Sequence, residues 1–221
     1  MGPFVASAPP LFTAPGGTEW LALALAYLLG AVPFGLVLVR LFKGVDLRQV
    51  GSGNIGATNA MRAAGRPVGL AVFALDFGKG WASAGPIALG FAREPAGAHS
   101  LQVLCGAAAV LGHCFPLYLR FRGGKGVATA CGALVAIDPA IFVIGGLVWL
   151  AVLLATRYAG LASIAMGIAF PAAAWFRFGR ERAEVVVGAG LLTLLILVRH
   201  RSNMARMLDG TEPKVLTRKT R

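Results

Sequence analysis

A basic, glycine-rich stretch lies between two apolar segments: Gly112-His113-Cys114-Phe115-Pro116, then Arg120-Phe121-Arg122-Gly123-Gly124-Lys125-Gly126, through to Thr129. Glycine leaves backbone N–H groups accessible, and Lys and Arg add charge. The combination suits an anionic ligand, most simply a phosphate. A positively charged loop that only fixes membrane topology would explain the cations, but it does not explain the glycines or His113. A second polar patch, Gly51-Ser52-Gly53-Asn54-Ile55-Gly56-Ala57-Thr58-Asn59 followed by Arg62, offers hydroxyl and amide groups with one cation. It reads as a cradle for a phosphate or polyol, or as a loop whose Asn and Ser bond their own backbone. Two further patches are Arg157 to Ser163 and His200-Arg201-Ser202-Asn203 with Arg206 one turn on.

Several familiar chemistries fail on spacing. Gly51-x-Gly53-x-x-Gly56 has the letters of a dinucleotide fingerprint, but that motif needs a preceding strand and here follows a long apolar segment. Gly123-Gly124-Lys125-Gly126 resembles the end of a phosphate-binding loop, yet Leu119 stands where the first glycine belongs and Gly126 where Ser or Thr would hold a metal. No His-x4-Asp pair exists, because Tyr118 and Ala205 occupy the acidic positions. Cys105, Cys114 and Cys131 show no paired spacing and read as reduced packing residues. No zinc ligand set is visible, so neither metal nor cofactor is expected. Asp76 and Lys79, one helical turn apart in an apolar segment, read as an intramembrane pair that holds the site together.

The elements that must carry these patches are apolar helices. The 221-residue chain is 57% hydrophobic and only 14% charged, with a mean hydropathy of +0.73, and so reads as an all-α integral membrane protein. The apolar segments are about Trp20–Phe42, Pro67–Phe91, Leu101–Leu119, Val127–Ala155, Ala159–Phe176 and Val185–Val198. The fourth is interrupted at Asp138-Pro139. If it is two segments, 16 Lys and Arg fall on the motif side against 4 on the other; if it is one, the split is 11 to 9. The positive-inside bias favours two, giving seven membrane-embedded helical segments. The N-terminus is then outside, the C-terminus is cytoplasmic, and all four polar patches share the cytoplasmic face. The net charge of +12 belongs to these loops and does not imply nucleic acid. Residues 1–18 are expected to be a flexible extension, 19–212 a single membrane domain and 213–221 a basic tail. One-sided polar patches and the lack of an internal repeat count against an anion or phosphate permease, the alternative reading.

The four patches together resemble the PlsY family, the bacterial acyl-phosphate-dependent glycerol-3-phosphate acyltransferases. The likeness runs from about Trp20 to Glu212. It implies transfer of an acyl group from acyl phosphate to the sn-1 hydroxyl of glycerol 3-phosphate, giving lysophosphatidic acid and inorganic phosphate. It implies Ser52, Arg62, Lys125 and Ser163 at the glycerol phosphate, and His200 and Asn203 at the glycerol hydroxyls. Arg62, Lys125, His200 and Asn203 would carry catalysis. Gly123, Gly124 and Gly126 would face the acyl phosphate, with Asn54, Asn59, His113 and Thr129 as further substrate-binding groups. Gly160 stands where some relatives have Ser. The expected partners are the two substrates and membrane lipid, with no nucleic acid and no metal. The expected protein is a monomer in the bacterial inner membrane with its site facing the cytoplasm. An acyl phosphate is already activated, so positioning and charge stabilisation suffice without a strong enzymatic nucleophile.

Overall fold

The computed structural model describes residues 11, 12 and 14–215. Most of the expected 1–18 extension and the end of the basic tail lie outside them. Residues near 16 are held: Glu19 accepts from the Gly16 N–H at 3.0 Å, and Arg93 Nε donates to the Gly16 carbonyl at 3.1 Å.

The described chain is helical. The first apolar segment forms α1 (Glu19–Ala31) and α2 (Phe34–Lys43). Pro33 separates them, because the residue before a proline is forced into extended backbone. After the 51–56 loop come α3 (Ala57–Ala64) and α4 (Arg66–Ala82). A π turn over Ser83–Ile87, containing Pro86, leads into α5 (Ala88–Phe91). Next are α6 (Ala98–Cys114), α7 (Val127–Ile137), α8 (Pro139–Thr156), α9 (Ala159–Phe178), α10 (Ala183–Arg199) and α11 (Arg201–Leu208).

Asp138-Pro139 divides the fourth apolar run into two helices, as the charge distribution predicts. Asp138 Oδ1 accepts from the Ala140 N–H at 2.8 Å and caps α8, while Pro139 occupies its first position. Oδ2 accepts from Arg177 Nε, also at 2.8 Å. Among the described residues, four stretches are long and apolar enough to cross a bilayer: Glu19–Lys43, Ala98–Leu119, Pro139–Thr156 and Ala159–Phe178. The α10–α11 pair, bent by 50°, makes a fifth if the two helices form one broken span. At 11 residues, α7 rises only about 16 Å, roughly half a hydrocarbon core.

Small residues bring the helices together, as expected where lipid supplies no hydrophobic drive between them. A Cβ on Gly30 would lie 2.1 Å from the Ala109 carbonyl oxygen, and one on Gly112 would lie 2.2 Å from that of Tyr27, so α1 meets α6 backbone to backbone. The α4–α7 contact is built alike, with Gly80 against Thr129 and Gly132 against Phe77. Beyond α7, an apolar core around Phe170, Ile141 and Ile196 joins α8, α9 and α10. This scaffold gathers the loop before α3, the start of α7, the start of α9 and the α10–α11 bend around one cavity.

Candidate active site

The cavity has a volume of about 460 Å³ and brings together Ser52, Asn54, Arg62, Lys125, Ser163, His200 and Asn203, drawn from all four sequence patches. It also takes in an apolar wall of Phe73, Phe142, Gly146, Trp149, Leu150 and Met166. On α8 the wall residues recur at helical spacing, so they form one stripe. Trp149 Nε1 donates to Ser163 Oγ at 3.3 Å, which places the polar groups at that end of the stripe. Phe142 lies about 10 Å farther along the helix.

The loop before α3 is fixed by Asn59. Its Oδ1 accepts from the Ser52 N–H at 3.1 Å. Its Nδ2 donates to the carbonyls of Leu47, Val50 and Asn54 at 3.1, 2.9 and 2.9 Å. Asn59 lines the cavity, and its amide is bonded to the loop, where it orients Ser52 and Asn54. Left-handed Gly51 and Gly53 make the turn possible, and a Cβ on Gly51 would meet Asn59 Oδ1 at 2.4 Å.

The glycine-rich turn also differs from expectation. The Gly123 N–H donates to the Cys114 carbonyl at 3.1 Å and the Gly124 N–H to that of His113 at 3.0 Å. Their own carbonyls accept from Arg199 at 2.8 and 2.9 Å. These glycines allow the chain to fold back on the end of α6, where a Cβ on Gly123 would lie 2.1 Å from the His113 oxygen. Their N–H groups are not free for a phosphate. The free donors come later, at the start of α7, where Lys125, Gly126, Val127 and Ala128 line the cavity. The first N–H groups of a helix have no partner within it and favour an anion. Thr129 is fully buried and lies outside the lining, contrary to its expected role, because its turn of α7 packs against Gly80.

Lys125 Nζ donates to Asn203 Oδ1. Asn203 Nδ2 donates to Glu212 Oε1 at 2.6 Å, and Arg206 Nε donates to Glu212 Oε2 at 2.8 Å. Arg62 reaches the same segment, donating to the Pro213 carbonyl at 3.1 Å. Burial lowers the Lys125 pKa to about 8; Glu212 opposes this, and Arg206, Arg199 and Arg62 add to it. Glu212 is a site residue that sequence reasoning missed. Its one signal was a carboxylate standing within a basic tail. His200 is buried, and its Nδ1 lies 2.8 Å from the Ile196 carbonyl. A carbonyl only accepts, so Nδ1 carries the proton, and Nε2 keeps its lone pair in the neutral ring. Ser163 Oγ donates to the Ala159 carbonyl at 2.9 Å.

Asp76 and His113 line the same cavity. Asp76 Oδ1 lies 2.7 Å from Lys79 Nζ and 3.5 Å from His113 Nδ1. Lys79 also donates to the Val32 carbonyl at 3.0 Å, at the α1–α2 break. The expected pair is thus part of a cluster joining three helices.

Comparison with known proteins agrees with this architecture. The glycerol-3-phosphate acyltransferase family model matches residues 20–210. A glycerol-3-phosphate acyltransferase of Dinoroseobacter shibae is 44% identical over 211 residues, covering 96% of this chain and 99% of the relative. One from Aquifex aeolicus is 44% identical over 190 residues, covering 85% and 94%. The fold matches the crystal structure of PlsY, an integral membrane glycerol 3-phosphate acyltransferase, in its glycerol 3-phosphate form. That match has a TM-score of 0.81 and 42% identity, covering 90% of this chain and 96% of that one. The lysophosphatidic acid form matches with a TM-score of 0.79 and 41% identity, covering 90% and 95%. The chain belongs to the glycerol-3-phosphate acyltransferase family, and to its integral membrane PlsY branch.

Proposed function

We propose that this acyltransferase takes its acyl group from an acyl phosphate and delivers it to the sn-1 hydroxyl of glycerol 3-phosphate. The carrying observation is a single cavity that joins a cationic, hydrogen-bonding region to an apolar wall. Lys125, Arg62 and Ser52 hold the glycerol phosphate, with Ser163 alongside. The acyl chain lies along the α8 stripe. The carbonyl phosphate sits at the start of α7, where N–H groups and Lys125 meet the charge that develops on it.

The hydroxyl oxygen attacks the carbonyl carbon, and the carbonyl–phosphate bond breaks. That electron pair leaves with inorganic phosphate, which takes the hydroxyl proton. His200 Nε2 accepts a hydrogen bond from the hydroxyl and orients it, while Asn203 holds Lys125. Direct transfer fits the lining, because Ser163 Oγ is committed to a carbonyl and Cys131 is a buried thiol beside Met166. Holding two anions in line accounts for roughly 7–11 kcal/mol of barrier in well-oriented reactions.

In this reading seven segments enter the membrane of a bacterial inner membrane protein, with the N-terminus outside and the cavity facing the cytoplasm. The 16-to-4 division of Lys and Arg supports that sidedness.

Phosphate release from palmitoyl phosphate, compared with thiol release from palmitoyl-CoA, tests the donor. Turnover with acyl phosphate and glycerol 3-phosphate, and none with the thioester, is expected. Comparable turnover from the thioester would overturn the donor assignment.

A further inference from the structure

The basic run in the 112–129 stretch is divided by the fold. Lys125 lines the substrate cavity, but Arg120 and Arg122 do not. They line a second cavity of about 410 Å³ with Arg48, Tyr118 and Leu119. Arg48 comes from the loop after α2, so two separate segments supply the three guanidinium groups. Arg48 Nη2 lies 2.5 Å from Asp46 Oδ2 and is charge-balanced. Arg120 and Arg122 are exposed, and neither forms an ion pair among the described residues.

The backbone here is held in a conformation that side-chain-bearing residues rarely adopt. Arg120 has φ 51° and Phe121 φ 62°, two consecutive left-handed residues without a glycine. Tight bonds keep it so: the Phe121 N–H donates to the Pro116 carbonyl at 3.0 Å and the Arg122 N–H to that of Leu119 at 3.1 Å. Retained strain at adjacent positions points to a demand on where their side chains go. The result turns Phe121 outward, 56% exposed, beside Leu117 at 54% and Tyr118 at 56%. The turn follows directly on the apolar stretch Ala98–Leu119 and therefore sits at a membrane boundary. Cations beside exposed apolar and aromatic side chains suit a lipid headgroup better than a soluble anion or an acidic protein.

We propose that Arg48, Arg120 and Arg122 form a binding site for the phosphate headgroup of an anionic membrane lipid, separate from the substrate cavity, with Leu117 and Phe121 entering the apolar layer beside it. Only the choice of leaflet rests on the sidedness proposed above. The site bears on catalysis through the chain itself. Arg122 leads into Gly123 and Gly124, which are pinned to α6 and to Arg199, and these lead into Lys125. A bound headgroup holds the turn that positions Lys125 and so favours glycerol 3-phosphate binding.

The test uses the full chain in nanodiscs of phosphatidylcholine with or without about 30% phosphatidylglycerol, at low ionic strength where surface charge acts. Lysophosphatidate formation is measured against glycerol 3-phosphate concentration. Anionic lipid is expected to lower KM for glycerol 3-phosphate several-fold in the wild type. R120Q/R122Q should keep the neutral-lipid rate and lose most of that response. R40Q/K43Q, which removes equal charge from the exposed end of α2, should keep it. An equal response in R120Q/R122Q, no response in the wild type, or an equal loss in R40Q/K43Q would each overturn the site. Inorganic phosphate or soluble glycerophosphoglycerol reproducing the effect in neutral nanodiscs would overturn the lipid assignment in favour of a free anion.

Discussion

Lys125 and Asn203 stand 78 residues apart in sequence and are joined by a hydrogen bond from the ammonium to the side-chain oxygen. The other end of the same amide donates to Glu212. Asn203 thus reads a cation on one side and a carboxylate on the other, and its orientation is fixed by having an acceptor and a donor in the right places. An aspartate at 203 would keep the Lys125 contact but set two carboxylates against each other. Asn203→Asp is expected to lower kcat/KM for glycerol 3-phosphate by roughly 10- to 100-fold, the scale of a buried charge-assisted bond. Adding Glu212→Gln restores a donor to the new carboxylate and should recover part of the loss. A double-mutant cycle measures the coupling, expected at about 1–3 kcal/mol. Strictly additive losses would mean the two residues do not act through one another.

The pH dependence has a defined sign. Burial lowers the Lys125 pKa to about 8, against about 10.4 in an unfolded chain. Between those values the unfolded state holds the proton and the folded state does not, so stability rises with pH across that window; the penalty is fully present below it. Substrate binding moves the other way, because the neutral amine no longer attracts phosphate. The kcat/KM for glycerol 3-phosphate is expected to fall as pH rises through about 8. The limb in kcat should lie higher, since a bound dianion holds the proton on Lys125. Lys125→Arg, which stays charged, should remove the fall in kcat/KM from this range. A fall unchanged in that variant would assign it to another group.

The sequence showed which residue types gather and on which segments. It did not show which backbone groups would be left free. Asp138-Pro139 was legible as an interruption, and the distribution of Lys and Arg along the chain chose two segments over one. The glycines were not. Gly123 and Gly124 have the composition of a phosphate nest, yet their N–H groups close onto the carbonyls of Cys114 and His113. That pairing depends on how the chain returns to α6. Asn59 was ambiguous for the same reason, since an amide can serve a ligand or its own loop. Glu212 could be placed only by knowing that the chain after α11 comes back to Asn203 and Arg206.

Close helix contact makes a separate prediction. A Cβ on Gly132 would lie 1.9 Å from the Phe77 carbonyl oxygen, a backbone atom that no side-chain motion can clear. Gly132→Ala is expected to push α7 from α4 and destabilise the protein by about 1–3 kcal/mol, the usual range for overpacking. Thermal unfolding in detergent measures it. Gly90, where an added methyl would meet nothing within 4 Å, serves as the control. An alanine at 132 as well tolerated as one at 90 would mean that α4 and α7 are not in backbone contact.

The apolar wall makes the most specific prediction about substrate choice. Gly146 lies on the α8 stripe between Phe142 and Trp149 and lines the cavity, and a Cβ there meets nothing within 4 Å. A larger side chain at 146 therefore starts into open space on the cavity side. Gly146 is about 4.5 Å along the helix from Trp149, where the polar groups begin, so the channel would be closed after only a few methylenes. Gly146→Phe is expected to lower kcat/KM for palmitoyl phosphate by at least about tenfold, since even one methylene discriminates by 10-fold or more in a shaped pocket. Butyryl phosphate should lose much less, and KM for glycerol 3-phosphate should not change, because its ligands lie beyond Trp149. Gly146→Ala should give an intermediate ratio. The palmitoyl-to-butyryl ratio is the quantity to measure, because a general loss of folded enzyme lowers both rates and leaves that ratio alone. An unchanged ratio in Gly146→Phe would place the acyl chain elsewhere than along α8.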